Sequence, residues 1–171
     1  TINDELIRLR IETLKRLRPL LTLVPRDPVP PGNLAWHKPA RLLSLDGTHE
    51  IPSSGSAHAA NRGVDGKPST FTQGSNEWPW TYEVDLLEPR EVRRVKVTFL
   101  QDYFATDLRV QVSADRKTWQ TVATASDLDG SPYASEFAPV KAQWVRVSAL
   151  KPNGPHQKGV LMAITELEVY E

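Results

Sequence analysis

The 171 residues include no cysteine. A disulfide scaffold, a thiolate metal site and a cysteine nucleophile are thereby excluded, while the compartment stays open. An excess of either charge is also missing, since 21 Lys plus Arg offset 21 Asp plus Glu. A domain that neutralises a phosphate backbone carries a basic face, and no Lys/Arg block suggests one, so nucleic acid is a poor partner. No apolar run approaches the ~20 residues that span a bilayer as a helix. Catalytic signatures are absent as well: there is no GxSxG elbow, phosphate loop or HExxH helix. His37, His49, His58 and His156 are scattered without metal-ligand spacing, and "SSGSAH" at 53–58 reads as a polar connection. Asp102 and Asp107 flank a loop tip, where carboxylates are commonly solvated rather than paired for acid–base work. The expectation is a binding module that is not itself an enzyme. The chain starts at Thr1 rather than Met, as expected of a processed product or a piece excised from a larger protein.

What is present divides into unequal parts. The hydrophobic content of 39% suffices to bury a core, and the length suits one domain with an appendage. Residues 1–24 carry Leu6, Ile7, Leu14, Leu17, Leu21 and Val24 near helical spacing, so a helical extension is expected there, with Pro19 ending or kinking its first part. Such a helix packs on its own domain or docks a neighbour; its heptads are too few to establish a coiled coil. "PRDPVPPG" at 25–32 holds four prolines in eight residues and reads as a stiff linker. Beyond it the period becomes two. "WTYEVDL" puts Trp80, Tyr82, Val84 and Leu86 on one face; "VKVTF", "LRVQV", "WQTVA", "WVRVSAL" and "ITELEVY" continue the alternation. At least six half-buried antiparallel strands without a strong helix among them indicate an all-β sandwich or barrel.

The order of several segments then becomes recognisable. "NLAWHKPA" (33–40), "VDGKPST" (64–70), "VDL" (84–86), "VQVSADRKTWQTV" (110–122), "WVRVSAL" (144–150) and "ITELEVY" (164–170) resemble a coagulation factor 5/8 type C, or discoidin-like, domain over residues 33–171. The resemblance implies an eight-stranded antiparallel jelly-roll β-sandwich with a galactose-binding-like fold. It is similar to bacterial family 32 carbohydrate-binding modules, which implies a secreted, cell-surface or periplasmic glycan-binding or adhesion module covalently joined to a neighbouring domain. Three departures stand out. Phe71 occupies a usual Trp position, the aromatics before "VDL" are shifted to Trp80 and Tyr82, and Leu87 replaces the usual Gly.

The resemblance also implies a structural calcium ion, with sodium as a substitute. Its ligands would be the Asp65 carboxylate, the Thr70 hydroxyl and carbonyl, the carbonyls of Arg62, Lys67 and Thr165, and the Glu166 carboxylate. The side chains of Arg62 and Lys67 would point away. The chemistry suits the loop, because calcium takes six to eight hard oxygens in irregular geometry. Read without the resemblance, a DG dipeptide is more often a simple turn.

Ligands of this family meet loops at one end of the jelly roll, and a sugar needs an aromatic face beside a few polar groups. Three loops qualify. They offer His49 with Glu50 and His58, then Asn76 with Glu77 and Trp78, then Asp102 with Tyr103 and Phe104. Trp78, outside the strand alternation, is a sugar platform or a lid. Of the adjacent Tyr103 and Phe104, one is expected to be buried and the other free. The His–Arg–Asn set of galactose binders is not cleanly present, so galactose-type sugars and other polysaccharides both stay open. Membrane binding through Tyr103 and Phe104 is disfavoured by the zero net charge.

Overall fold

The computed structural model describes Glu5, Ile7, Leu9 and Glu12 together with residues 32–75, 79–151 and 162–171. The four N-terminal positions are helical and exposed. The Pro-rich linker before Gly32, Asn76, Trp78 and His156 lie outside the described residues. Among the described residues no helix is long and apolar enough to cross a membrane.

Among the described residues seven strands follow in chain order: β1 (Ala40–Ser44), β2 (Thr72–Gln73), β3 (Trp80–Phe99), β4 (Asp107–Ser113), β5 (Gln120–Ala125), β6 (Tyr133–Lys151) and β7 (Ala163–Tyr170). All pairings are antiparallel, in the order β2-β7-β3-β6-β4-β5, with β1 also on β3. The long strands β3 and β6 each serve two layers. The first part of β3 pairs with β1 and with the end of β6; its last part pairs with β7 and with the start of β6. Register breaks between Asp85 and Arg90 and between Val92 and Arg94 bend the ladder from one layer into the other. The result is the antiparallel jelly-roll sandwich that the alternation and the resemblance both imply.

Period two decides what fills the interior. Trp80, Tyr82, Val84 and Leu86 are buried from β3, Leu108, Val110 and Val112 from β4, Val145, Val147 and Ala149 from β6, and Leu167 and Val169 from β7. The odd-numbered neighbours on β3, Thr81, Glu83 and Asp85, then face outward. A bulge between Thr98 and Phe99 lets Ile164, Leu167 and Val169 all point inward despite their uneven spacing.

Two ends result. Ser44 pairs with Trp80, Asp107 with Lys151 and Leu108 with Ala125, so the connections after β1, before β3, before β4 and after β5 and β6 emerge together as a rim. At the other end the Leu34 amide donates to the Val169 carbonyl at 2.7 Å, and Asn33 Oδ1 accepts from the amides of Ala35 and Val169.

Candidate functional site

Three polar constellations stand on this frame. The first is the loop 60–70, whose 3-10 turn Ala60–Val64 packs against β1 and β7 at the open edge of the sandwich. Gly63 is required there by close approach, since a Cβ would lie 2.7 Å from the Tyr82 hydroxyl. That hydroxyl donates to the Ala60 carbonyl at 2.6 Å. Gly66 supplies the left-handed turn, at φ +74°. Its amide donates to Glu166 Oε2 at 3.0 Å, joining the loop to β7 across one hundred residues of sequence.

Oxygens converge on this junction. Asp65 is buried, and the Thr70 hydroxyl lies 2.8 and 2.9 Å from its two carboxylate oxygens and 3.1 Å from the Lys67 carbonyl. The Lys67 amide also donates to Asp65 Oδ1 at 3.0 Å. Glu166 Oε1 is buried without a hydrogen-bond partner among the described residues. Burial, with Asp65 and Glu168 nearby, pushes the Glu166 carboxyl up to about 8 despite the Gly66 amide and Lys96. Burial first, then Glu166 and Asp65, drives the Tyr82 phenol well above its usual range. Arg62 differs from expectation: its Nη1 turns back to 3.6 Å from Asp65 Oδ2 instead of pointing away, because that carboxylate is the buried anion within its reach. Thr165 spends its hydroxyl on the Thr98 carbonyl. Among the described residues no three His, Asp or Glu side chains gather around a metal-sized space. An ion at this junction would therefore rely on Thr70 and backbone carbonyls beside its two carboxylates. An orphaned buried carboxylate oxygen next to a second carboxylate fits a hard cation.

The second constellation is the rim. His49 is exposed on the connection after β1. Tyr103 is half-buried, its backbone tied to Leu100 and Ala163 by 3.0 Å hydrogen bonds. Phe104 is corrected: it is 7% exposed and belongs to the core, where Gly130 abuts its ring, so it has no free face for a sugar. Among the described residues the rim is acidic: Asp46, Asp127 and Asp129 are exposed on it and Asp102 is partly so, against His49 and Lys151. Hydrogen bonds from Ser44 and Thr48 hold the Asp46 carboxyl down at about 2, and those from Ser131 lower Asp129. Lys151 lies 2.9 Å from Asp107 and lowers it.

The third was not singled out from the sequence. On the outer face of β3 and β6, Glu83 Oε2 accepts from Arg146 Nε at 2.7 Å, and Glu83 Oε1 accepts from Arg116 Nε at 3.0 Å. Arg146 stacks 3.8 Å over the Trp119 ring and donates to the Gly47 carbonyl. Alternation puts Glu83 and Arg146 on outer faces, but only the register of β3 on β6 sets Glu83 opposite Arg146 and Asp85 opposite Trp144.

Comparison with known proteins matches this frame. No curated protein sequence matches the chain. Among solved structures, chitosan-binding module 1 of a chitosanase/glucanase from Paenibacillus sp. IK-5 superposes with a TM-score of 0.67 and 28% identity, over 81% of this chain and 98% of that one. Module 2 of the same enzyme, in complex with chitotriose, has a TM-score of 0.67 and 26% identity over 81% and 100%. A CBM32 module of Clostridium perfringens in complex with GalNAc-β-1,3-galactose shares the fold at 22% identity and a TM-score of 0.64, over 79% and 96%. The family model of the NedA-like, galactose-binding domain, of F5/8 type C, matches residues 62–147, half of the chain and the stretch that runs from the oxygen-lined loop to the charged face of β6. With jelly roll, loop and strand order all in agreement, the chain belongs to that F5/8 type C family.

Proposed function

We propose that this chain is a non-catalytic glycan-binding module whose acidic rim takes a polymer containing amino sugars. The reading is carried by the likeness to two chitosan-binding modules, at 28% and 26% identity over nearly their whole lengths. The rim charge supports it: the exposed carboxyl groups of Asp46, Asp127 and Asp129 complement a protonated glucosamine and offer acceptors to its hydroxyls, with Asp46 held down at about 2 and Asp129 lowered. Half-buried Tyr103 supplies an aromatic surface at the same end. The module acts outside the cell, at the surface or in the periplasm, and is joined to a larger bacterial glycan-active protein.

Calcium belongs to this reading as a structural ion held by Asp65, Thr70, Glu166 and carbonyls of the 62–70 loop, with sodium as a weaker substitute. When bound, it would neutralise two neighbouring carboxylates and clasp the loop to β7.

Titration calorimetry with chitotriose, N-acetylated chitotriose and galactose tests the reading. Chitotriose is expected to bind best, to weaken as salt rises, and to lose about tenfold or more in Tyr103→Ala, as removal of an aromatic contact does. Equal or stronger binding of galactose transfers the site to galactose-type sugars, and no binding of any glycan overturns the proposal. A second reading, docking of a neighbour through the N-terminal helix, draws on Ile7 and Leu9, each 57% exposed. Removal of residues 1–31 would then abolish assembly with that neighbour while leaving glycan affinity unchanged.

A further inference from the structure

The outer face of the sandwich carries a pocket apart from the rim and the oxygen-lined loop. It has a volume of about 110 Å³ and is lined by Pro39, Arg41, Glu83, Asp85, Arg116 and Trp144. Cross-strand register builds it. Arg41 of β1 pairs with Glu83 of β3, and Asp85 of β3 pairs with Trp144 of β6. Arg116 comes from the β4–β5 hairpin, where its backbone is left-handed at φ +61°. From there its side chain crosses to Glu83, 2.9 Å from Nη2.

The lining chooses the class of ligand. Two guanidiniums face two carboxylates, so the walls carry no net charge. An anion would meet Glu83 and Asp85, and a cation would meet Arg41 and Arg116. Neither gains from entering. Hydroxyl groups behave differently, because each donates one hydrogen bond and accepts others. Glu83 is already occupied by Arg116 and Arg146. Asp85 uses Oδ1 for the Leu87 amide at 2.8 Å and for Gln143 Nε2 at 3.0 Å, which leaves Oδ2 as an acceptor. Arg116 engages Glu83 through Nε and Nη2, leaving Nη1 as a donor. A carboxylate acceptor, a guanidinium donor and an indole wall together match the adjacent hydroxyls and C–H face of one sugar ring. The volume admits one such ring at most, not a chain.

We infer that this pocket is a second carbohydrate site, which takes a single neutral pyranose such as the terminal residue of a glycan. It goes beyond the rim reading and does not depend on it. Two sites on one domain would let the module bridge two glycan chains, or hold one branched chain with an effective concentration that raises avidity.

The test is an NMR titration of the intact chain with glucose, galactose and N-acetylglucosamine, following the Trp144 indole N–H and the Arg116 amide. At least one sugar is expected to shift both signals at millimolar concentrations. Asp85→Asn and Arg116→Gln should each weaken that response by about tenfold or more, the scale of one charge-assisted hydrogen bond. Tyr103→Ala should leave it unchanged even where chitotriose affinity falls. Failure of the rim reading would remove chitotriose binding without touching the Trp144 response. The inference is overturned if no sugar shifts Trp144, if the shift survives in folded Asp85→Asn, if it vanishes in Tyr103→Ala, or if sodium sulfate produces the same shift.

Discussion

Leu87 is held at φ +70° with 58% of its surface exposed, a left-handed backbone that a leucine side chain disfavours. It stands where the family usually has glycine, inside the register break that turns β3 from one layer to the other. The strain and the bend share a cause: the chain must reverse its pleat within four residues, and the Leu87 amide is fixed on Asp85 Oδ1. A leucine in this region costs about 1–2 kcal/mol, of which glycine's extra freedom when unfolded returns part. Leu87→Gly is therefore expected to stabilise the fold by about 0.5–1 kcal/mol, raising the thermal midpoint by ~1–4 °C for a chain of this size. Scanning calorimetry of the two proteins checks this, and a lower midpoint for the glycine variant would contradict it. Alternation also fails at the tip before β4: the chain turns from Leu100 to Tyr103, and Phe104 and Ala105 are both buried while Tyr103 stays partly open.

At the scale of the element, β3 and β6 are zipped by charge as well as by hydrogen bonds. Glu83 is 2% exposed and Arg146 is 8% exposed, so each depends on the other for its solvation. Trp119 covers the guanidinium from one side, and the Gly47 carbonyl closes another. Removing one partner of a buried pair strands the other, at a cost of about 3–5 kcal/mol. Glu83→Ala should lose stability on that scale in urea unfolding, and Glu83→Leu combined with Arg146→Met should recover most of it. Additive losses in the double variant would rule out the pairing as the cause. The strands themselves were legible because apolar residues alternate in each, from Tyr82 and Val84 to Val145 and Val147. Their continuity was not. "WTYEVDL" and "VKVTF" read as two strands, whereas they are the ends of one 20-residue strand with bulges between. A bulge leaves no periodic mark of its own in a sequence. The outer-face pocket was hidden for a related reason: residues 41, 83, 85, 116 and 144 meet only through register, and Arg116 reaches it through a backbone conformation that its residue type does not advertise.

For the whole molecule, the decisive tie runs from the 62–70 loop to the last strand. Its partners, Asp65 and Glu166, were legible through the resemblance alone, since no local pattern joins positions one hundred residues apart. The tie carries an electrostatic cost, because a buried carboxyl pushed up to about 8 must hold a proton or find a cation. In chelator, the folded form keeps the Glu166 proton across a range where the unfolded chain, with an ordinary carboxyl near 4.5, has lost it. The folded state then binds more protons, and this contribution to stability is full below about 4.5 and is lost as pH rises toward about 8. Calcium would reverse the balance, because it binds the ionised pair and competes with the proton. The stabilisation by calcium should thus be small at pH 5 and grow toward pH 8, reaching about 2.7 kcal/mol where the free ion is a hundredfold above its dissociation constant. Thermal melts at both pH values, with calcium and with chelator, measure the difference directly. Glu166→Gln, which keeps the shape and removes the charge, should flatten the pH response in chelator and abolish the calcium increment together. A calcium increment that persists in that variant would place the ion elsewhere, and its absence from the wild-type chain at pH 8 would leave the Gly66 amide on Glu166 as the bond that clasps the loop to β7.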